Sequence, residues 1–294
     1  MEHSKNMRGA LFMTASMAGF VLNDTMIKLV SEDLELFQAV FIRGIFATTL
    51  LGVLAWHKKV IFYRSEPGEL KIIAWRTFAE ISATFCFLTA LFNMPLANAT
   101  AILQALPLSV TLAASIFLGY KVGWRRYLAI LLGLVGVMVI VRPGTDGFNI
   151  YSLWALGAVA FVTLRDLLSH KLNSSTPSIY VALFASVSVM VLAGLACTTQ
   201  EWRDVSPQIG LYLAAAAGFI LIGYVAGITA MRHVEISFVS PFRYTVLIWA
   251  LLLGFFVFGE VPDVITITGS LIVVGTGIYT FYRERKVLEH PNSD

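Results

Sequence analysis

The property that most restricts this chain is the length of its apolar runs. Ten of them follow one another, separated by short charged or turn-like breaks. About 20 apolar residues rising 1.5 Å each as helix cross roughly 30 Å of hydrocarbon. In a bilayer only a helix or a closed barrel satisfies its own backbone groups, and runs of this length suit helices. Composition agrees: 57% of the 294 residues are hydrophobic and 13% are charged, with a mean hydropathy of +0.78, whereas globular domains carry about a quarter charged residues. The expectation is an all-α integral membrane protein with spans at 9–30, 36–56, 70–92, 97–120 and 127–141, then 152–168, 178–198, 208–231, 236–258 and 264–281.

The first run continues to Lys28 without a cleavage-like site, which is too long for a signal-peptide core, so it reads as a retained span. Cys86 and Cys197 both fall in apolar runs and read as inert buried thiols rather than a disulfide framework. A net charge of +3 gives no support to a nucleic-acid partner. Its sign is explained by orientation: with cytoplasmic termini, the inner segments hold fourteen lysines and arginines and the outer ones only Lys28, Arg142 and Arg203. Both termini are therefore expected in the cytoplasm, with the lipid bilayer as the surrounding partner.

A polar connector at 142–147 divides the runs five and five. An odd number of crossings reverses the second half, so equivalent helices run oppositely through the membrane. Faint internal matches support the repeat. Leu22 and Asp24 correspond to Leu164 and Asp166, Thr89-Ala90 to Thr229-Ala230, and Leu118-Gly119-Tyr120 to Phe258-Gly259-Glu260. The two repeats are placed at 8–141 and 152–283.

Two five-helix units, a polar pair in the first span, and the phrase Leu253-Gly254-Phe255-Phe256-Val257-Phe258-Gly259-Glu260 resemble the drug/metabolite transporter superfamily in its EamA-type branch. The glycine-rich stretch 269–277 adds to that likeness. Gly119-Tyr120 departs from the Gly-Glu ending expected in the first half, so Glu260 reads as a loop or helix-end residue. The stretch from Gly9 to Asp24, together with Ser240-Pro241-Phe242-Arg243-Tyr244, is similar to members described as riboflavin importers. The resemblance implies secondary transport of a small metabolite across a bacterial inner membrane, with riboflavin uptake as the first substrate reading. S-adenosylmethionine, amino acids, carboxylates or amines, in either direction, are the alternatives within the branch.

Charges inside the spans are expensive unless they face protein or water. Counting 1.5 Å per residue, Asp24, Arg43 and Gln104 are expected in an outer layer, and Arg76, Arg165, Asp166 and Arg243 in an inner one, with Glu80 nearer the midplane. Asn23, Asp24, Arg43, Glu80, Gln104, Arg165, Asp166, Arg243 and Tyr244 are the candidate pathway or gate residues. Asp24 with Arg43, and Asp166 with Arg243 or Arg76, would exchange partners as the halves rock; static ion pairs and snorkelling arginines are the alternative. Arg165 and Asp166 point about 100° apart on a helix, so one would line the pathway while the other meets a neighbour.

Thr84 and Ser240, like Asn23 and Gln104, could bind solute or fasten helices. Pro107 and Pro241 lie inside the fourth and ninth spans and permit kinks. Phe85, Phe184, Tyr224, Tyr244 and Trp249 could stack on a planar ring such as a flavin, while Trp56 and Trp202 read as interfacial anchors.

His3, His57, His170, His233 and His290 all fall in loops or tails, which gives no support to a metal site or buried histidine relay. No GxxxxGK[ST] loop occurs, so no nucleotide cofactor and no built-in ATPase is expected. Coupling to protons would fall to Asp24, Glu80 or Asp166, and a homodimer is left open. An enzyme is not expected; a membrane-embedded lipid enzyme and a channel are the minor alternatives.

Overall fold

Each apolar run becomes a membrane-length helix. The computed structural model describes residues 2–63, 65–66, 68–120, 123–145, 148–173, 175–233 and 239–289; the side chains of 2–6, 228, 231–233, 240 and 284–289 are not described. The helices are α1 (Glu2–Leu29), α2 (Leu36–His57), α3 (Glu69–Asn93), α4 (Leu96–Leu103), α5 (Leu106–Phe117), α6 (Trp124–Val141), α7 (Tyr151–Ser169), α8 (Ser178–Cys197), α9 (Pro207–His233), α10 (Thr245–Phe258) and α11 (Val264–Glu289). Among the described residues ten spans are long and apolar enough to cross a membrane. Observed ends lie close to those read from the sequence, except that α1 and α11 continue beyond the apolar core.

Two spans are discontinuous, and both breaks fall at the prolines singled out above. The fourth pauses at Gln104 and Ala105 before α5, which carries Pro107 in its first turn. In the ninth a 3-10 turn, Ser240–Tyr244, with Pro241 in its first turn, precedes α10. Proline lacks the N–H of an intact helical ladder, so a helix is easiest to break at its first turn. Residues 234–238, where the ninth span was expected to begin, lie outside the described residues. So do connector residues 146–147 and Arg64 and Lys121 among the counted cations, while the side chains of Lys5, Arg232, Arg285, Lys286, His3, His233 and Ser240 are not described and His290 falls beyond residue 289.

The packing of the spans displays the repeat. The first span packs on the eighth and the third on the sixth; the second faces the seventh and the fifth the tenth; the fourth lies on the sixth, and the ninth on the first. Exchanging every span with its counterpart five places along leaves this set unchanged, as expected of two inverted repeats related by a two-fold axis in the membrane plane.

Lipid offers no hydrophobic drive for helix association, so these pairs rely on close backbone approach. A Cβ on Gly19 would stand 3.0 Å from the Gly223 nitrogen and the Phe219 carbonyl, and one on Gly269 would stand 2.8 Å from the Gly136 carbonyl. Ser16 Oγ donates to the Gly223 carbonyl at 2.6 Å in the first of these contacts. Large apolar side chains point outward instead, with Phe117, Phe256 and Val264 exposed by 74%, 76% and 77%. An apolar outer surface of this extent would aggregate in water and is stable against lipid tails. Ten crossings return the chain to the face where it began, called here the terminal face.

Candidate functional site

The charged residues of the spans converge on the interior between the halves. α1 presents Asn23, which is buried, and Asp24. Asn23 Nδ2 donates to Asp24 Oδ1 at 2.9 Å, and its Oδ1 accepts from Arg43 Nη1 of α2 at 3.3 Å. Arg43 Nε is buried and without a partner. Asp24 and Arg43 interact electrostatically but form no ion pair within 4.0 Å.

Below them Glu80 of α3 joins the two halves. Its carboxylate meets Arg76, one turn away on the same helix, at 3.3 Å and Arg165 of α7 at 3.2 Å. Arg165 also reaches its own neighbour Asp166 at 2.9 Å, and Arg76 Nε donates to Ser169 Oγ at 3.1 Å. The Tyr224 hydroxyl, on α9, lies within electrostatic reach of Glu80, Arg165, Arg76 and Arg43. Its ring packs edge-on against Phe20 at 5.3 Å and is 48% exposed. Arg243 interacts electrostatically with Asp166 without an ion pair to it, and keeps a buried Nε without a partner. The order is an alternating ladder of acids and bases from Asp24 through Arg43, Glu80, Arg165 and Asp166 to Arg243.

The pairing differs from the two separate layers read from the sequence. Glu80 bridges those layers. Asp166 pairs with Arg165 rather than with Arg243 or Arg76, because a guanidinium on a long stem folds back across the 100° between adjacent residues. Gln104 does not meet Asp24 or Arg43; its Nε2 donates to the Thr100 carbonyl of its own helix at 3.2 Å, at the break in the fourth span. Tyr244 is buried against α11, where its hydroxyl occupies the space a Cβ on Gly277 would need. Thr84 donates to the Glu80 carbonyl on its own helix.

The aromatic candidates separate as well. Phe85 packs on Phe37, and Trp249 keeps a buried indole N–H with no partner. Phe184 lines an open groove of about 420 Å³ between α3 and α8, which also carries Phe78, Ile81 and Val191 and no charged side chain. The groove is therefore chemically distinct from the charged ladder. Among the described residues no cluster of His, Cys, Asp or Glu is arranged to hold a metal ion.

At the face opposite the termini, sequence reasoning treated Lys28, Arg142 and Arg203 only as orientation charges. Each is an ion pair between halves. Lys28 Nζ lies 2.7 Å from Glu260 Oε1 and donates to the Met94 carbonyl at 2.6 Å. Arg142 pairs with Asp263, which also accepts from the Thr266 N–H at the start of α11. Arg203 pairs with Glu35, while its backbone exchanges two hydrogen bonds with the buried Gln38 amide. The signal was present in the sequence, since each cation has an acid at the same face in the opposite repeat.

Glu260 reaches Lys28 because of the residue before it. Gly259 adopts φ +66°, the left-handed conformation that a glycine accepts without Cβ strain, and ends α10. The chain reverses there, and Glu260 Oε2 accepts the Leu96 N–H at 2.8 Å, capping α4 across the molecule. Gly119 repeats the left-handed turn at φ +71°, but the following Tyr120 is exposed. The glycine turn is thus common to both repeats and the carboxylate lock is not.

Proteins of known sequence place this arrangement. Over 270 residues the chain is 26% identical to an S-adenosylmethionine uptake transporter of Rickettsia felis, covering 90% of each protein. Over 277 residues it is 27% identical to a riboflavin transporter of Vibrio cholerae, covering 91% of each. Over 275 residues it is 24% identical to a pseudopaline exporter of Pseudomonas aeruginosa, covering 90% of this chain and 93% of that one. A solved crystal structure with 16% identity shares the fold at a TM-score of 0.62, over 92% of this chain and 98% of its own. The EamA-like transporter family model matches residues 7–142 and again 149–282, so this integral membrane protein of ten spans belongs to the EamA-like transporter family.

Proposed function

We propose that the protein imports a small, charged metabolite by alternating access, with S-adenosylmethionine as the leading substrate. The observation that carries this reading is the charge count of the interior ladder. Arg43, Arg76, Arg165 and Arg243 face Asp24, Glu80 and Asp166. A buried guanidinium without its own carboxylate is costly, and a carboxylate group on the substrate would offset that cost. Breaks in the fourth and ninth spans supply the flexible backbone that transporters of this kind place beside their binding sites. The two halves rock about Glu80 and Arg165, exposing the ladder first to one face and then to the other. Lysine and arginine placement supports cytoplasmic termini in a bacterial inner membrane. In that orientation the three ion pairs on the opposite face close the outer side.

Riboflavin is the second reading, favoured by the exposed Tyr224 ring among the charges, which suits stacking on a flat heterocycle. Riboflavin carries no carboxylate for Arg43 or Arg243 to receive, whereas S-adenosylmethionine, a net cation through its sulfonium, still offers one, and S-adenosylmethionine uptake transporters are among the relatives; riboflavin therefore ranks second. The test is uptake of labelled S-adenosylmethionine into proteoliposomes, with riboflavin, amino acids and carboxylates as competitors and with and without a proton gradient. Saturable S-adenosylmethionine uptake, not displaced by excess riboflavin, is expected. Uptake of riboflavin alone would overturn the substrate assignment, and uptake of nothing in the panel would overturn import of this class of metabolite.

A further inference from the structure

Asp24 and Arg43 form an unusual couple. In a low-dielectric interior an acid and a base on adjacent helices gain most by closing directly into an ion pair. Here the Asn23 amide occupies the space between them, donating to the acid at 2.9 Å and accepting from the base at 3.3 Å. Two hydrogen-bonding positions are consequently left over. The second oxygen of Asp24 has no partner among the described residues, and Arg43 Nε is buried without one. Buried polar atoms are nearly always satisfied, so an orphan donor beside an open acceptor points to a group that belongs there.

The group that matches carries both charges side by side. An α-amino acid presents a carboxylate and an ammonium on one carbon, opposite in sign and unable to neutralise each other. We infer that Asp24, Asn23 and Arg43 form a subsite for the zwitterionic head of an amino-acid-bearing substrate. Arg43 receives the carboxylate and Asp24 the ammonium, while Asn23 holds the two receptors apart so that they do not consume each other. Tyr224, electrostatically coupled to Arg43 and exposed, offers a ring face to the remainder of the ligand. The inference rests on the transporter reading and assigns chemistry to its outer end, where helix counting had placed a gate.

Equilibrium binding to the full-length protein in nanodiscs tests it without requiring transport. Labelled S-adenosylmethionine is the probe, and decarboxylated S-adenosylmethionine and the analogue lacking the α-amino group are competitors. Each charge-assisted hydrogen bond is worth about 1.5–3 kcal/mol, so removing the carboxylate or the amine should weaken binding to the wild-type protein by roughly 10- to 100-fold. In Arg43→Gln the preference for the carboxylate should fall to near unity while that for the amine persists, and Asp24→Asn should show the reverse. Equal affinity of the wild-type protein for all three ligands overturns the subsite, and this arm needs no variant to fold. Full carboxylate discrimination in Arg43→Gln overturns the assignment to Arg43. The transporter reading fails separately: intact discrimination in binding with no uptake of any probe would sink transport and leave the subsite standing.

Discussion

Replacing Glu260 with glutamine asks whether charge holds shut the face opposite the termini. The carboxylate makes an ion pair of 2.7 Å with Lys28 and accepts the Leu96 N–H at 2.8 Å, with side-chain exposures of 12% for Lys28 and 17% for Glu260. Breaking a fully buried pair costs about 3–5 kcal/mol and a surface pair 0–1. Glutamine keeps an oxygen for the Leu96 N–H, so the loss is mainly that of the charge. Near the edge of the membrane it should come to about 2 kcal/mol. That corresponds to a shift of about 30-fold in the equilibrium between closed and open forms of this face. A cysteine at Ala99, fully buried on α4 beneath the lock, reports the opening in a background lacking Cys86 and Cys197. Its reaction with a membrane-impermeant maleimide should accelerate by about the same factor in Glu260→Gln. An unchanged labelling rate would refute the reasoning, including the case where the melting temperature falls, because Glu260 would then pin the fold without governing access.

Further outcomes follow from the same contacts. Glu80→Gln leaves Arg76 and Arg165 without their shared acid at 15% and 23% exposure, and should lower unfolding stability by about 3 kcal/mol in a detergent denaturation series. Gly269→Val forces a methyl group against the Gly136 carbonyl and should destabilise by about 1–3 kcal/mol, whereas Gly52→Val, with open space around it, should change the melting temperature little. Asp263 has its carboxyl held down from 3.8 to about 2, first by the hydrogen bond from Arg142. Its depressed value means the contribution is complete above pH 3.8 and is lost as pH falls through about 2. The side chain is 54% exposed, so that contribution is ~0.5 kcal/mol, read as the difference between wild-type and Asp263→Asn melting curves across that window.

Ten spans, their boundaries and the repeat were legible in the sequence because each is a property along one axis. Hydropathy marks where a helix enters and leaves the bilayer, and residue counting gives depth at 1.5 Å per position. Pro107 and Pro241 announced their breaks by the same local logic, since a missing N–H needs no distant partner to be felt. The polar candidates were equally visible, because an ionisable residue in a hydrocarbon-length run stands out whatever surrounds it.

Partner choice was decided by the tertiary structure. That Asp24 and Arg43 lie near each other could be expected from residue counting, but only the packing of the helices sets Asn23 between them and keeps the pair open. Arg165 reaches both Asp166 and Glu80 because a flexible stem covers more than the angle between adjacent residues, which a helical wheel does not represent. Glu260 looked like an ordinary helix end until the left-handed turn at Gly259 carried it to Lys28 and the first turn of α4. Sequence fixes depth and charge; which side chain stands opposite depends on helix rotation and on contacts between distant repeats, and those exist only once the two halves pack together.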